Sequence, residues 1–567
     1  MLVVTSMLVG SASALTGCSE SKDAPVTLNV YSQVANYSGM QSGWFADILL
    51  KKFNVKLNII PDAPETFQTK MESKDMGDIV VCGDEEQYAK AVKAKLLYDW
   101  NDDDLLQNYG AYIKDNMSDA LRKNSKLTSK ITNGTCDIVY GYGYNVANSS
   151  MDHESFFYTW DTRWDLYKKL GYPKINDLED YARMLKKMQK LEPKGEDGEK
   201  KYAFSLWPDW DKDMVMYVKA TATAYYGYDE MGVGLYDAET GDYHDALEEN
   251  GPYLEILKFY NHLYREGLID PDSMTQNYAR MIEKVQNGRT LSSIFNYTGQ
   301  LAYNSDEHKA QGKMMYCMRP EDATVLVYGM NTQGGNMIWS IGAQTAYPEL
   351  CMKIINYLST PEGRLTIEYG PKGSCWYYDK DGYTHLTKLG RSCHTNPKQK
   401  MGDVAKGTFQ DGQLKINNTT WALDAENPDS NGETFNCDNW QSMQEKPDSS
   451  IMKDWQDTTG CIGINDYMES GRYQVVPRGN YTANTKSDEL STTWNLVTKT
   501  IREGSWNAIY AASDQEYEKI VCQMRTKAKE YGYDTCVDWS VNEAALRKQA
   551  DDIQKQVSES NDSYHTN

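Results

Sequence analysis

Past residue 17 no stretch stays apolar for the roughly 20 residues that a membrane-spanning helix needs, so no span is expected there. Basic residues are the minority: 59 Lys plus Arg stand against 81 Asp plus Glu, a formal net charge of −22. Such a surface repels phosphate backbones and argues against nucleic acid as a partner. The 11 cysteines contain no Cys-x-x-Cys pair, and none has a second Cys or a His at a zinc-ligand spacing. The adjacent Cys393-His394 suits a metal poorly, and no metal or other cofactor is expected. Mostly free, buried thiols are expected, with one or two bridges open. Seven scattered histidines give little support to a His-based triad, and G-x-S-x-G, H-E-x-x-H and P-loop motifs are all missing. The 81 acids do leave room for the paired carboxylates of a glycoside hydrolase.

Phe is also scarce: 10 residues against 42 Tyr and 14 Trp. A core is indifferent to a phenol hydroxyl, whereas a wet cleft uses rings that also hydrogen-bond. Sugars present apolar C–H faces edged by hydroxyls and suit such rings. A general habit of placing Tyr on surfaces gives the same count, so composition alone leaves both readings open.

At the N-terminus, Met1 to Gly17 carries no charge, and Leu2, Val3, Val4, Met7, Leu8 and Val9 make a short apolar run. It suits a secretory signal over residues 1–17. Leu15-Thr16-Gly17-Cys18 resembles the lipobox of bacterial lipoproteins, which implies cleavage before Cys18 and a diacylglycerol on its thiol. Residues 18–25 then form a polar tether. The missing Lys or Arg ahead of the apolar run departs from the lipobox pattern.

Further along, VTLNVYS (Val26–Ser32) and VKLNIIP (Val55–Pro61) alternate as strands do, and Gly77 to Trp100 reads strand, acidic turn, helix. Strand–helix alternation points to an α/β fold whose ligands bind beyond the carboxyl ends of the strands. Asn176 with Glu179 matches a capping box. Tyr253, Leu257, Tyr260 and Tyr264 make one helical stripe, stopped by Gly267. In PELCMKIINYLSTPEGR, Leu350, Ile354 and Leu358 face inward, and Thr360 caps a second helix that opens on Pro361. Tyr517, Val521, Met524, Ala528 and Tyr531 share a helical face. Residues 376–476 read as a loop-rich insertion or small subdomain.

The lipobox, GDIVVCGDEEQYAKAVKAKLLYDW, RWDLYKKLGYPKINDLEDYARMLKKMQ, EILKFYNHLYREGLIDPD and AYPELCMKIINYLSTPEGR occur in this order. Together they resemble the family 1 extracellular solute-binding proteins of carbohydrate ABC transporters, in their large lipoprotein branch from Gram-positive gut bacteria. The resemblance spans about residues 15–380 and, more weakly, 510–545. It implies a two-lobed periplasmic-binding-protein-like α/β fold with mixed central sheets flanked by helices. An oligosaccharide is held between the lobes and handed to membrane permease subunits by a monomer anchored through Cys18. The implied lobes are 26–145 with 291–336, and 146–290 with 337–555, followed by a disordered tail at 556–567. Crossings are implied near Tyr144–Val146, Leu291–Phe295 and Asn336–Ser340. A lipoprotein for peptides or another solute and a secreted hydrolase are the rival readings.

Chemistry and position nominate the site residues. Trp207 and Trp210, interleaved with Asp209 and Asp211 in SLWPDWD, offer stacking faces and acceptors for vicinal hydroxyls. Asp84 and Glu85 end a strand of the first lobe. Tyr142 and Tyr144 lie near a crossing, as line-up for the cleft or as hinge packing. Trp160, Arg163 and Trp164 match a family position that faces ligand, and Arg163 also has the option of pairing internally. Trp339 and Trp376 complete the set, with Tyr297 favoured as core. Some relatives bind calcium where this chain has Glu192 to Phe204, but the Asp/Asn series of a calcium loop is missing.

Overall fold

The computed structural model describes residues 24–63, 66–134, 138–149, 153–444, 447, 449–479, 481 and 483–565, with side chains up to 556. Cys18 and the expected signal peptide lie outside the described residues. Val26–Ser32 (β1) and Val55–Pro61 (β2) are parallel neighbours, and β1 also pairs in parallel with the wholly buried Ile79–Cys82 (β3). Asp84 turns the chain into helix Glu85–Lys93 (α1) by accepting the Gln87 backbone N–H. Gly141–Gly143 (β4) is an edge of the same six-stranded sheet. A Cβ on Gly143 would stand 1.9 Å from the Gly335 carbonyl oxygen, so glycine is required.

The chain then crosses to a second sheet. Tyr158–Arg163 (β5) is its middle strand, antiparallel to Ser292–Phe295 (β6) and Met315–Cys317 (β7). Around β5 pack Leu178–Leu191 (α2), Met216–Tyr226 (α3) and Pro252–Arg265 (α4). The stripe on α4 buries Tyr253, Leu257 and Tyr260, as periodicity predicts. The cap of α2 falls one residue later than expected. Asp177 accepts the Asp180 N–H, while Asn176 donates to the Asp180 carboxylate from its backbone and its amide.

After Thr324–Tyr328 (β8) the chain returns, and Ile338–Ile341 (β9) inserts between β3 and β4, antiparallel to both. Pro348–Ser359 (α5) and Pro361–Tyr369 (α6) follow, with Thr360 accepting the Gly363 N–H as its position predicts. These placements correct the expected lobe boundaries. Segment 291–336 packs largely in the second core through β6, β7 and β8, while β9, α5 and α6 bury their side chains in the first. Leu291–Phe295 is therefore no crossing: β6 pairs with β5 and stays inside the second sheet. Periodicity marks a strand but not its partner, and the partner decides the sheet.

The loop-rich region is also divided between the cores. Trp376, Phe409, Trp421, Phe435 and Trp440 bury against the first, while Ile451, Trp455 and Met468 bury against the second. The first part includes the hairpin of Trp376–Tyr378 with Thr384–Leu386, then helix Lys388–Thr395 (α7). Tyr531 leaves its expected buried face at 37% exposure, because it caps the helix that Tyr517, Val521, Met524 and Ala528 anchor. The final helix, Tyr533–His565 (α8), includes residues 556–565 of the tail expected to be disordered, and 566–567 lie outside the described residues. Of nine free cysteines among the described residues, only Cys522 is exposed. No helix of the described residues is long and apolar enough to cross a membrane.

Candidate functional site

Two crossing segments run side by side, the first described at 144–149 and 153–157 and the second at 329–337. The Tyr144 N–H donates to Met337 O, Gly335 N–H to Tyr144 O, and Ala147 N–H to Asn331 O. Glu154 N–H reaches Tyr328 O at the second-core end. A cavity opens at each end of this pair.

At the first-core end, a cavity of about 590 Å³ is lined mainly by polar groups, among them Asn36, Tyr144, Asn145, Gln413, Asn417 and Thr419. Asn145 adopts φ 51°, a left-handed conformation that Asn tolerates, and its side-chain oxygen accepts the Thr419 hydroxyl. The Asn417 amide donates to Val34 O just beyond the carboxyl end of β1, at 2.7 Å. Nearby, Lys123 donates to Gly334 O and Asn336 Oδ1, and burial lowers its ammonium pKa.

At the second-core end, a cavity of about 450 Å³ is walled by Phe157, Tyr158, Trp210, Phe295, Tyr297 and Tyr328. Its polar edge is the Lys219–Glu230 ion pair. Trp210 is 44% exposed and Phe157 42%, high values for such large rings. Trp210 stacks on Tyr278 at 4.7 Å between centroids, and Phe157 stacks on Tyr297 at 5.3 Å. The Asp209 carboxylate accepts the Tyr278 N–H, which fixes that ring behind Trp210. Trp207 meets Trp210 edge-on at 5.2 Å and is fully buried. The SLWPDWD stretch thus buries one indole in the core against Trp210 and leaves the other in the opening.

Asp211, by contrast, lines neither cavity. It accepts the Met216 N–H at the start of α3 and the Trp506 indole N–H, and burial pushes its carboxyl up to about 6. Several other nominated residues are core. Trp160 sits where β5 bulges against β6, at φ 53°; its buried indole donates to Ala224 O. Trp164 donates to Asp454, Trp339 to Thr419 O and Trp376 to Gly370 O, each indole packed inside. Tyr142 is fully buried with its hydroxyl on Ser359.

Arg163 takes the internal option. It is buried, bidentate on Asp165, and shared with Glu192. Burial alone would raise the Glu192 carboxyl, but Arg163 and Lys201 beside it hold it at about 2. In the segment from Glu192 to Phe204, Glu192 thus meets Arg163 and Lys201, Glu196 meets His308 and Lys313, and Asp197 meets Arg289. Asp84 is spent on its helix cap, and neither it nor Glu85 lines these two cavities.

Of the nominated residues, then, Trp210 and Tyr144 face the cavities, one in each. Tyr297, favoured as core from sequence, is a wall of the second cavity. Sequence reading missed Phe157, Asn145, Asn417 and Thr419. Phe157 offered a signal, a large apolar residue just after a polar stretch at a crossing. Thr419 offered none, since 274 residues separate it from Asn145.

Two α/β cores joined by paired crossing segments, with a cavity at either end, define a two-lobed binding protein. The model of the bacterial extracellular solute-binding proteins matches residues 44–368, more than half of the chain, and the chain belongs to that family. No curated protein matches it. Among solved structures it is similar to the HMO-binding, ABC-transporter-associated solute-binding protein of Bifidobacterium longum infantis. That likeness has a TM-score of 0.53 at 13% identity, covering 93% of this chain and 100% of the other. The Streptococcus pneumoniae substrate-binding protein FusA, in complex with kestose, gives 0.54 at 14%, with 94% and 99% covered. The N-glycan transport protein NgtS of the same species gives 0.51 at 13%, with 93% and 99% covered. At such identities the likeness concerns the fold.

Proposed function

We propose that this protein captures an oligosaccharide between its lobes and delivers it to an ABC permease, held at the cell surface by a lipid on Cys18. The observation that carries the reading is the open aromatic cavity of Phe157, Trp210 and Tyr297 with the Lys219–Glu230 pair at its edge. Exposed rings offer faces to sugar C–H groups, and adjacent polar groups fix hydroxyls. The amide- and hydroxyl-lined cavity at the other end of the crossing supplies further partners. A ligand touching both favours the closed arrangement by its differential affinity for it, and closure is what a permease would read. The similar structures named for HMO, kestose and N-glycan ligands support the same chemistry.

The test is a thermal-shift screen of the protein lacking residues 1–18 against plant, fungal and host glycans, followed by calorimetry and recovery of the sugar. A ligand that binds only the folded state raises the midpoint. A selective shift with intact sugar supports a transport receptor. A shift only with peptides, or a cleaved sugar, overturns it. Cys18→Ser is expected to move the protein from the membrane fraction to the medium.

A further inference from the structure

We propose that His394, Cys437 and Asp438 bind a divalent ion of borderline softness, with Zn(II) the chemically preferred one. His394 lies in the last turn of α7, and Cys437 and Asp438 lie on the single turn Cys437–Asn439. Cys437 Sγ is 3.6 Å from His394 Nε2, and Asp438 Oδ1 is 3.5 Å from the same nitrogen. The sulfur and that carboxylate oxygen are 3.8 Å apart. These three atoms form a nearly equilateral triangle. Zinc bonds of about 2.0–2.3 Å at tetrahedral angles place neighbouring ligand atoms roughly 3.3–3.6 Å apart, so a small contraction makes the triangle one face of such a tetrahedron. A thiol, an imidazole and a carboxylate together favour zinc over magnesium or calcium, which prefer oxygen alone.

Access and support both exist. The sulfur is buried, while the His394 and Asp438 side chains are 36% and 68% exposed, which leaves an entry path and room for water as fourth ligand. The imidazole also lies 3.8 Å from the sulfur through Nδ1, so turning the ring to aim one nitrogen is a local adjustment. The Tyr369 hydroxyl accepts the Cys437 N–H and donates to Phe435 O, which fixes the turn from behind. On binding, the metal forms bonds to sulfur, nitrogen and oxygen, and the thiol proton leaves to solvent with no change of oxidation state. The ion would pin α7 to a turn 43 residues further on. None of the three residues lines either cavity, so the inference stands apart from the sugar-binding reading.

The test titrates Co(II) into chelator-treated protein carrying Cys18→Ser, Cys136→Ser and Cys522→Ser, which removes the three thiols outside the set shown as buried. A thiolate-to-cobalt charge-transfer band that saturates at one equivalent and disappears on adding Zn(II) is expected. Cys437→Ser should abolish the band, and His394→Ala, at an exposed side chain, should weaken binding at least tenfold. At the same concentration Zn(II) should raise the thermal midpoint of the parent more than that of His394→Ala. No band, a band that persists in Cys437→Ser, or unchanged affinity in His394→Ala overturns the proposal. If Cys437→Ser fails to fold, the His394→Ala titration decides alone.

Discussion

The cavity at the first-core end of the crossing is walled by amides and hydroxyls, Asn36, Asn145, Asn417 and Thr419, with Tyr144 among them. Its counterpart at the second-core end is walled by rings, Phe157, Trp210, Tyr297 and Tyr328. The difference comes from what builds each wall. Polar loops reach the first from the region after residue 376, while bulged β5 and the SLWPDWD turn carry rings to the second. An apolar solute would use only the ring side, and a small polar solute only the amide side. A molecule with apolar faces and hydroxyl edges uses both, which is the physical basis for reading the pair as halves of one sugar site.

The sharpest way to break this comparison is to separate the buried indole from the exposed one in SLWPDWD. Trp207→Ala empties a fully buried position and should cost about 3–5 kcal/mol of stability, read from denaturant unfolding. If Trp207→Ala leaves stability unchanged, the ring wall is not anchored as described. Next in size is a pH effect beneath that wall. Asp161 on β5 is fully buried, and burial pushes its carboxyl from 3.8 to about 7 although the Gln300 N–H partly opposes this. Its folded value lies above its unfolded one, so its stabilising protonation is complete below about pH 3.8 and lost as pH rises through about 7. Asp211 and Asp551, both near 6, act in the same sense. Stability should therefore fall between about pH 4 and 7 and level off above, and Asp161→Asn should flatten that fall by up to about 4 kcal/mol. An unchanged pH profile in Asp161→Asn would remove Asp161 as its source.

Smaller effects test the faces themselves. Trp210→Ala should leave the unfolding midpoint nearly unchanged and weaken sugar binding by about 2 kcal/mol, roughly thirtyfold. Asn417→Ala on the amide side should weaken it by about 1 kcal/mol, roughly fivefold, since a single neutral hydrogen bond is worth that much. Calorimetry of both variants, and of the double variant, sharpens the comparison. If Asn417→Ala and Trp210→Ala do not both weaken one ligand, the two cavities are not halves of one site.

Local structure was readable where it depends on neighbours in sequence. Alternation marked β1 and β2, and Thr360-Pro361 marked the start of α6 because a cap and a fixed φ act within one turn. The same reasoning missed the cap of α2 by one residue, because Asp180 reached back to Asn176 instead. For the site, composition pointed to exposed rings but not to which rings. Of the tryptophans nominated, only Trp210 stands in a cavity; the others put their rings in the cores.

The sequence by itself determined the helices and first strands, the paucity of positive charge, and the family, because these follow from periodicity, count and ordered motifs. Tertiary structure alone decided that β9 joins the first sheet and β6 the second, and that Arg163 is spent on Asp165 and Glu192. It also decided that His394 meets Cys437, 43 residues away, although neither has a metal-ligand spacing in the chain. Strand partners, ion pairs and cavity walls are contacts between residues far apart in sequence, and no local pattern encodes which distant residue will arrive.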